Sequence, residues 1–133
     1  MNRLRFREWD KFDKEMLNVH GINYDAEGVW TKEMIDDESD GGFIYFSDIE
    51  LLQSTGLFDK NGKEIFEGDI VKHVPVPNPF ISNAYLEIIQ ARSGEWRMDN
   101  YRGGKALAYG NHEVEVVGNK FEHRGLIRRP KSI

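Results

Sequence analysis

The stretch that decides the fold is "TGLFDKNGKEIFEGDIV", residues 55–71. Its Asn61-Gly62 pair predicts a β-hairpin with a type I′ turn, because that turn needs positive φ at both central residues. β-forming residues stand on both sides of the pair, at 57–58 and 65–66. The "EGD" that follows predicts a second tight turn at Gly68, and residues 70–74 continue as a strand. The stretch therefore predicts structure more clearly than it predicts chemistry.

The same stretch contains carboxylates that acid/base chemistry could use. We interpret Asp59, Glu64, Glu67 and Asp69 as turn residues and outward-facing residues, since Asp and Glu are common at such positions. A hydrolase that uses the carboxylates near Glu67 and Asp69 together with His73 stays an alternative.

Upstream, "RLRFREW" alternates polar and apolar residues with a period of two, which is typical of a half-buried strand. With "MLNV" it predicts an N-terminal hairpin. Arg3, Arg5 and Arg7 share one face. That face could bind phosphates, or it could be the solvated face of an edge strand, where charge discourages unwanted pairing.

The segment "FSDIELLQSTG", residues 46–56, predicts a short helix. Ser47 and Glu50 have the spacing of a capping box, and Phe46 and Leu51 have the spacing of a hydrophobic staple. Gly56 could adopt the left-handed backbone conformation that often follows the last residue of a helix.

Further strands are predicted downstream. "YLEIIQARSGEWRMDN", residues 85–100, reads as a hairpin around Ser93-Gly94, and "HEVEV" at 112–116 as an alternating strand. Residues 101–111 look like a loop. Pro75, Pro77 and Pro79 predict a stiff, extended connection or a docking strip, because proline cannot donate to a sheet.

Composition limits the class of protein. The 133 residues contain no cysteine, which excludes disulfides, thiolate metal sites and a cysteine nucleophile. No apolar run approaches the roughly 20 residues that span a bilayer, and the N-terminus has no signal-peptide core. We expect a cytoplasmic protein with no membrane association. The net charge of −5 argues against a dedicated nucleic-acid binder.

Charge is unevenly distributed along the chain. Residues 25–50 carry nine acids and one base, whereas residues 120–133 carry five bases and one acid. The two segments could attract each other within one chain or between copies, or they could be two separate solvated surfaces.

The sequence matches known metal-binding and catalytic patterns only in part. A calcium loop from Asp36 would need its final glutamate at position 47, which is Ser47. "HEVEV" begins like a zincin helix but has Val116 in the second histidine position. The histidines have no ligand spacing. We therefore predict no metal, no cofactor and no catalytic residue.

Three blocks together resemble the YopX family of small proteins encoded by phages and prophages. They are "LRFREWD" at 4–10, "LLQSTGLFDKNGKEIFEGDIVK" at 51–72 and "EVEVVGNKFEH" at 113–123. The resemblance implies an α+β, mainly β fold in which an N-terminal part, 1–50, precedes a small SH3-like barrel, 51–123. The basic tail, 124–133, departs from the acidic tail of the family. The resemblance implies no enzyme activity and no active-site residues.

We therefore expect a non-enzymatic accessory protein of a phage or prophage that acts as a protein-interaction or self-assembly module, with a homo-oligomer as one outcome. The alternative is a nucleic-acid-binding module that uses the basic N-terminal strand and tail, with tryptophans or Tyr101 stacking bases. The candidate interaction residues are Arg3, Arg5, Arg7, Trp9, Pro75, Pro77, Pro79, Trp96, Leu126, Ile127, Arg128 and Arg129.

Overall fold

The structure is a computed structural model that describes residues 5–31, 42–74 and 85–126. The chain forms two compact units, Met1–Gln53 and Ser54–Ile133. Both are built mainly from β-strands, as the sequence predicts. Several residues named in the sequence predictions lie outside the described residues: Arg3, Pro75, Pro77, Pro79 and those at 32–41 and 127–133.

The described residues form β-strands and short 3₁₀ turns. The strands are β1 (Phe6–Asp10), β2 (Glu15–Asn18), β3 (Gly21–Asn23), β4 (Gly28–Trp30), β5 (Phe43–Tyr45), β6 (Ile49–Phe58), β7 (Glu64–Phe66), β8 (Asp69–His73), β9 (Tyr85–Gln90), β10 (Trp96–Asn100), β11 (Gly103–Ala106) and β12 (Val114–Asn119). The 3₁₀ turns are Phe46–Asp48, Leu107–Tyr109, Asn111–Glu113 and Arg124–Leu126.

The predicted N-terminal hairpin is confirmed: β1 pairs antiparallel with β2, with Trp9 opposite Met16. The prediction that β1 is an edge strand is wrong, because β6 pairs along its other side, with Glu8 opposite Leu51. The last three residues of β1 are buried, including Trp9 on the face that carries Arg7. A strand paired on both sides has no exposed edge for charge to protect.

The predicted helix at 46–56 is wrong. Only Phe46–Asp48 forms a 3₁₀ turn, it has no side-chain cap, and the next residues run as the ten-residue strand β6. Capping devices are local and stabilise a helix by about 1–2 kcal/mol, whereas β6 gains a backbone ladder with β1 and then with β7. Gly56 does have positive φ, +76°, but at an irregularity of β6 between Ser54 and Phe58.

The first unit also contains a three-stranded antiparallel sheet in the order β3-β4-β5. Val29 lies at its centre, opposite both Ile22 and Ile44, and is fully buried. Since paired residues point to the same side of a sheet, these three residues share one face, on which Ile22 and Ile44 are half-buried.

The second unit is organised around a five-stranded antiparallel sheet in the order β11-β10-β9-β8-β12. Its core consists of buried apolar residues from successive elements: Ile65, Val71, Leu86, Ile88, Met98, Leu107 and Val114. The hairpin of β9 and β10 is confirmed. The loop prediction for 101–111 is wrong for Gly103–Ala106, which pair with β10.

The Asn61-Gly62 hairpin is confirmed, but its turn type is not. Phe58 pairs with Glu64, so the connection is residues 59–63, longer than a two-residue type I′ turn. Within it only Gly62 has positive φ, +82°. The Asp59 carboxylate organises this loop by accepting hydrogen bonds from the backbone N–H groups of Asn61 and Lys63, at 2.9 and 2.8 Å.

Candidate interaction surfaces

Asp69 and His73 of the hydrolase hypothesis lie at opposite ends of one strand. Asp69 begins β8 and His73 ends it, so four residue steps, about 13 Å, separate them. Asp69 is buried, and its carboxylate accepts the Phe66 N–H at 2.8 Å. Burial first, and then the charge of Lys105, lower the pKa of His73. Asp69 and His73 therefore lie too far apart along β8 for a direct carboxylate–imidazole contact.

Asp59 is a structural residue. It is 4% exposed, and besides the loop it accepts the Val116 N–H at 2.9 Å. The prediction that these carboxylates face outward is therefore wrong for Asp59 and Asp69. Sequence reasoning places acids at turns but does not show that backbone N–H groups converge on them.

No group of three or more histidine or acidic residues in the described ranges could hold a metal ion. The incomplete calcium-loop pattern starts at Asp36, outside those ranges. His112, the start of the zincin-like pattern, lies in a 3₁₀ turn, and Val116 lies in β12.

The arginine face is only partly accessible. Arg5 is exposed, Arg7 is half-buried, and Trp9 is 7% exposed. A stacked base needs an exposed ring face. Trp9 instead serves the packing of the first unit, which weakens the nucleic-acid hypothesis.

The other candidate interaction residues that the structure describes, Trp96 and Leu126, differ in how exposed their side chains are. Trp96 is half-buried and packs against the core of the second unit. Leu126 is exposed in the last 3₁₀ turn. Its neighbours Ile127, Arg128 and Arg129 lie outside the described residues.

The two edge strands of the five-stranded sheet, β12 and β11, differ in how their outer sides are covered. Along the outer side of β12, the Lys60 N–H donates to the Val114 carbonyl at 2.9 Å and Asp59 accepts from Val116. Asn61 adds a longer side-chain contact to Glu115. The 59–63 loop therefore covers this edge.

The opposite edge, β11, has no such cover among the residues that the structure describes: its one strand neighbour is β10. Gly103 and Gly104 begin it without side chains. Tyr101 precedes it with the Arg102 guanidinium 5.5 Å from its ring centre, and Tyr109 follows it, 86% exposed. We call β11 with Tyr101, Arg102 and Tyr109 the edge surface.

Glu8 is a feature that sequence reasoning missed. Its side chain is fully buried, and neither carboxylate oxygen has a hydrogen-bond partner among the residues that the structure describes. Burial, and then the charges of Asp10 and Glu15, raise its pKa to about 7. The signal was present, because Glu8 has the same parity as Leu4 and Phe6 on the apolar face of the predicted strand.

Comparison with known proteins gives a family and a structural neighbour. The model of the YopX protein family matches residues 5–128. A crystal structure of protein EF1440 from Enterococcus faecalis is similar over 96% of this chain and 100% of its own, with 28% identity and a TM-score of 0.68. A search of curated proteins finds no match. Among the described residues, no helix has the length and apolar character needed to cross a membrane.

Proposed function

We propose that this chain, which belongs to the YopX family, is a non-enzymatic interaction module that assembles with a second copy by pairing the β11 edges. The single observation that carries the proposal is the contrast between the two ends of the five-stranded sheet. The 59–63 loop covers the β12 edge, whereas the β11 edge has no such cover among the described residues.

A bare edge strand offers backbone groups that another strand can pair with. In β-strand addition, main-chain hydrogen bonds supply affinity and the flanking side chains supply specificity. Gly103 and Gly104 are exposed, and nothing lies within 4 Å of where a side chain at Gly103 would begin, although Gly104 packs against Met98 and Asp99. Tyr101 and Tyr109 offer large, partly rigid side chains next to it, a residue type enriched at interfaces.

Lys105 opposes unrestricted pairing. It lies in the middle of β11 and its ammonium is 3.3 Å from the Glu113 carboxylate. A lysine on an edge strand costs free energy when another strand covers it. We therefore expect weak, reversible pairing rather than open-ended aggregation.

We further propose that the second unit is an SH3-like barrel. The meander β8-β9-β10-β11, a 3₁₀ turn, and the return of β12 to pair with β8 support this. The family's phage or prophage setting leads us to propose a bacterial cytoplasm as the working location.

The alternatives have less support. Nucleic-acid binding has Arg5 and Tyr101 as exposed contacts but loses the Trp9 ring. The hydrolase hypothesis loses support because its Asp69 carboxylate is buried and lies at the other end of β8 from His73.

Sedimentation of the full-length protein from about 1 to 100 µM tests self-association, since a weak specific dimer populates in that range. Hydrogen exchange at each concentration then reports where it occurs. We expect association to slow amide exchange in Gly103–Ala106 and to leave the already paired β9 unchanged.

Two exposed aromatic residues provide a matched pair of variants. Tyr109 is 86% exposed beside the edge and Phe12 is 88% exposed in the first unit. Tyr109→Ala should weaken association severalfold, and Phe12→Ala should not change it. Association that leaves β11 exchange unchanged, or a monomer at every concentration, would contradict the proposal.

A further inference from the structure

Three aromatic rings form a row on one face of the three-stranded sheet of the first unit, where Trp30 and Phe43 are half-buried and Tyr45 is exposed. Trp30 pairs with Phe43 across the strands, with ring centres 5.1 Å apart, and Phe43 meets Tyr45 edge-on at 5.3 Å. The buried Val29 points to the other side of the same sheet. We call Trp30, Phe43 and Tyr45 the aromatic face.

Two glycines let these rings lie against the backbone. A side chain at Gly28 would collide with the Phe43 ring, whose nearest atom would be 2.4 Å from the added carbon. A side chain at Gly21 would meet the Trp30 ring at 3.3 Å. Aromatic rings that cover strand glycines stabilise a sheet, which accounts for Trp30 and Phe43. It does not account for Tyr45, which is 59% exposed at the end of the row.

The surroundings of Tyr45 are acidic. Gly28 pairs with Tyr45, so the turn of residues 24–27 lies at that end of the sheet, with Asp25 and Glu27 exposed. The Glu27 carbonyl accepts the Phe46 N–H at 2.8 Å, and Asp48 is exposed just beyond. Residues 21–31 and 42–50 contain no lysine or arginine, although the exposed Lys11 lies beside Asp48, because its backbone N–H donates to the Asp48 carbonyl at 3.0 Å.

Aromatic rings with nearby carboxylates attract cations, and guanidinium groups in particular, because arginine stacks on ring faces and forks onto carboxylates. The same carboxylates repel phosphate, which disfavours a nucleic acid as the occupant. The chemistry of this face therefore favours a basic, arginine-containing protein segment.

The chain itself contains such a segment. Residues 124–133, "RGLIRRPKSI", carry three arginines and a lysine together with Leu126 and Ile127. We propose that the aromatic face of one copy binds the C-terminal segment 124–133 of a second copy. This contact is distinct from β11 pairing and can fail or succeed independently of it.

A labelled peptide of residues 124–133 tests the contact. The host is the full-length protein with Arg124→Gln, Arg128→Gln and Arg129→Gln, so that its own segment does not compete. Fluorescence anisotropy should show saturable binding that weakens as salt rises. A peptide with lysine at the three arginine positions should bind severalfold more weakly, since an ammonium lacks the planar guanidinium surface.

Variants of Tyr45 locate the site. Tyr45→Ala should weaken peptide binding at least fivefold, Tyr45→Phe should restore most of it, and Phe12→Ala should leave it unchanged. Thermal melting of each host checks that it is folded.

Several results would overturn the proposal: no binding at 1 mM peptide, equal affinity for the arginine and lysine peptides, no effect of Tyr45→Ala, or tighter binding of oligothymidine than of the peptide. A wild-type protein that stays monomeric while its own segment blocks the peptide would show an intramolecular contact and refute the second-copy assignment. Because none of these readouts depends on β11 exchange, a failure here is distinguishable from a failure of edge pairing.

Discussion

Asp59 and Glu8 are both buried carboxylates, but their hydrogen bonding is opposite. Asp59 accepts three backbone N–H groups, from Asn61, Lys63 and Val116. Within the described parts of the chain, Glu8 has no hydrogen-bond partner for either oxygen. Burial alone therefore does not tell whether an acid stabilises the fold.

The difference follows from where each residue lies in the backbone. Asp59 stands at a loop, where N–H groups are outside the ladder and can turn toward a side chain. Glu8 stands in the middle of β1, between Leu17 and Leu51 of the neighbouring strands. There the backbone N–H groups are used by the sheet, and the facing side chains are apolar.

Among the variants that test this comparison, we expect Asp59→Ala to change the free energy of unfolding most. It removes the acceptor of three N–H groups and should lower the free energy of unfolding by about 3 kcal/mol. Urea denaturation measures the change. Asp13→Ala, at an exposed turn of the first unit, is the control and should change stability by no more than about 0.5 kcal/mol. Equal losses in the two variants would show that the Asp59 hydrogen bonds do not organise the loop.

Glu8 should make stability depend on pH. Its pKa rises from 4.5 to about 7 on folding, so the folded state binds more protons than the unfolded state between these values. The Glu8 contribution is thus present at low pH and is lost as pH rises through 7, by up to about 3 kcal/mol.

Glu8→Gln tests this directly, because glutamine has nearly the same shape and does not titrate. The difference in unfolding free energy between the variant and the wild type should shift in favour of the variant from pH 4.5 to pH 8. Tryptophan fluorescence in urea follows it at each pH. A constant difference across that range would show that Glu8 is ionised, or compensated, in the folded protein.

The sequence was most informative where local chemistry and tertiary structure agree. The β1–β2 and β9–β10 hairpins and the Asn61-Gly62 hairpin followed from alternation and turn residues. It misled at residues 46–56, where capping signals are local and strand pairing is not. No local pattern predicts that β1 pairs with β6, which lies much later in the chain, with Phe6 opposite Gln53.

The interaction surfaces were less predictable than the fold. Arg5 and Leu126 are exposed, as an interaction role needs, but Trp9 is core. The sequence predicts a loop at β11 because two of its four residues are glycine. The aromatic face needs Phe43 opposite Trp30, a register that depends on sheet pairing and not on spacing along the chain.

The smallest expected effect concerns the Asp59 loop again, through Gly62 and its conformation. An alanine at Gly62 meets no atom within 4 Å, so any loss of stability comes from its φ of +82°. We expect Gly62→Ala to lower the free energy of unfolding by about 1 kcal/mol. Gly125→Ala is the matched control, since its added methyl also meets nothing within 4 Å and its backbone is outside the left-handed region. If both variants unfold at the same urea concentration as the wild type, the loop tolerates a relaxed backbone at Gly62, and the Asp59 hydrogen bonds alone hold it in place.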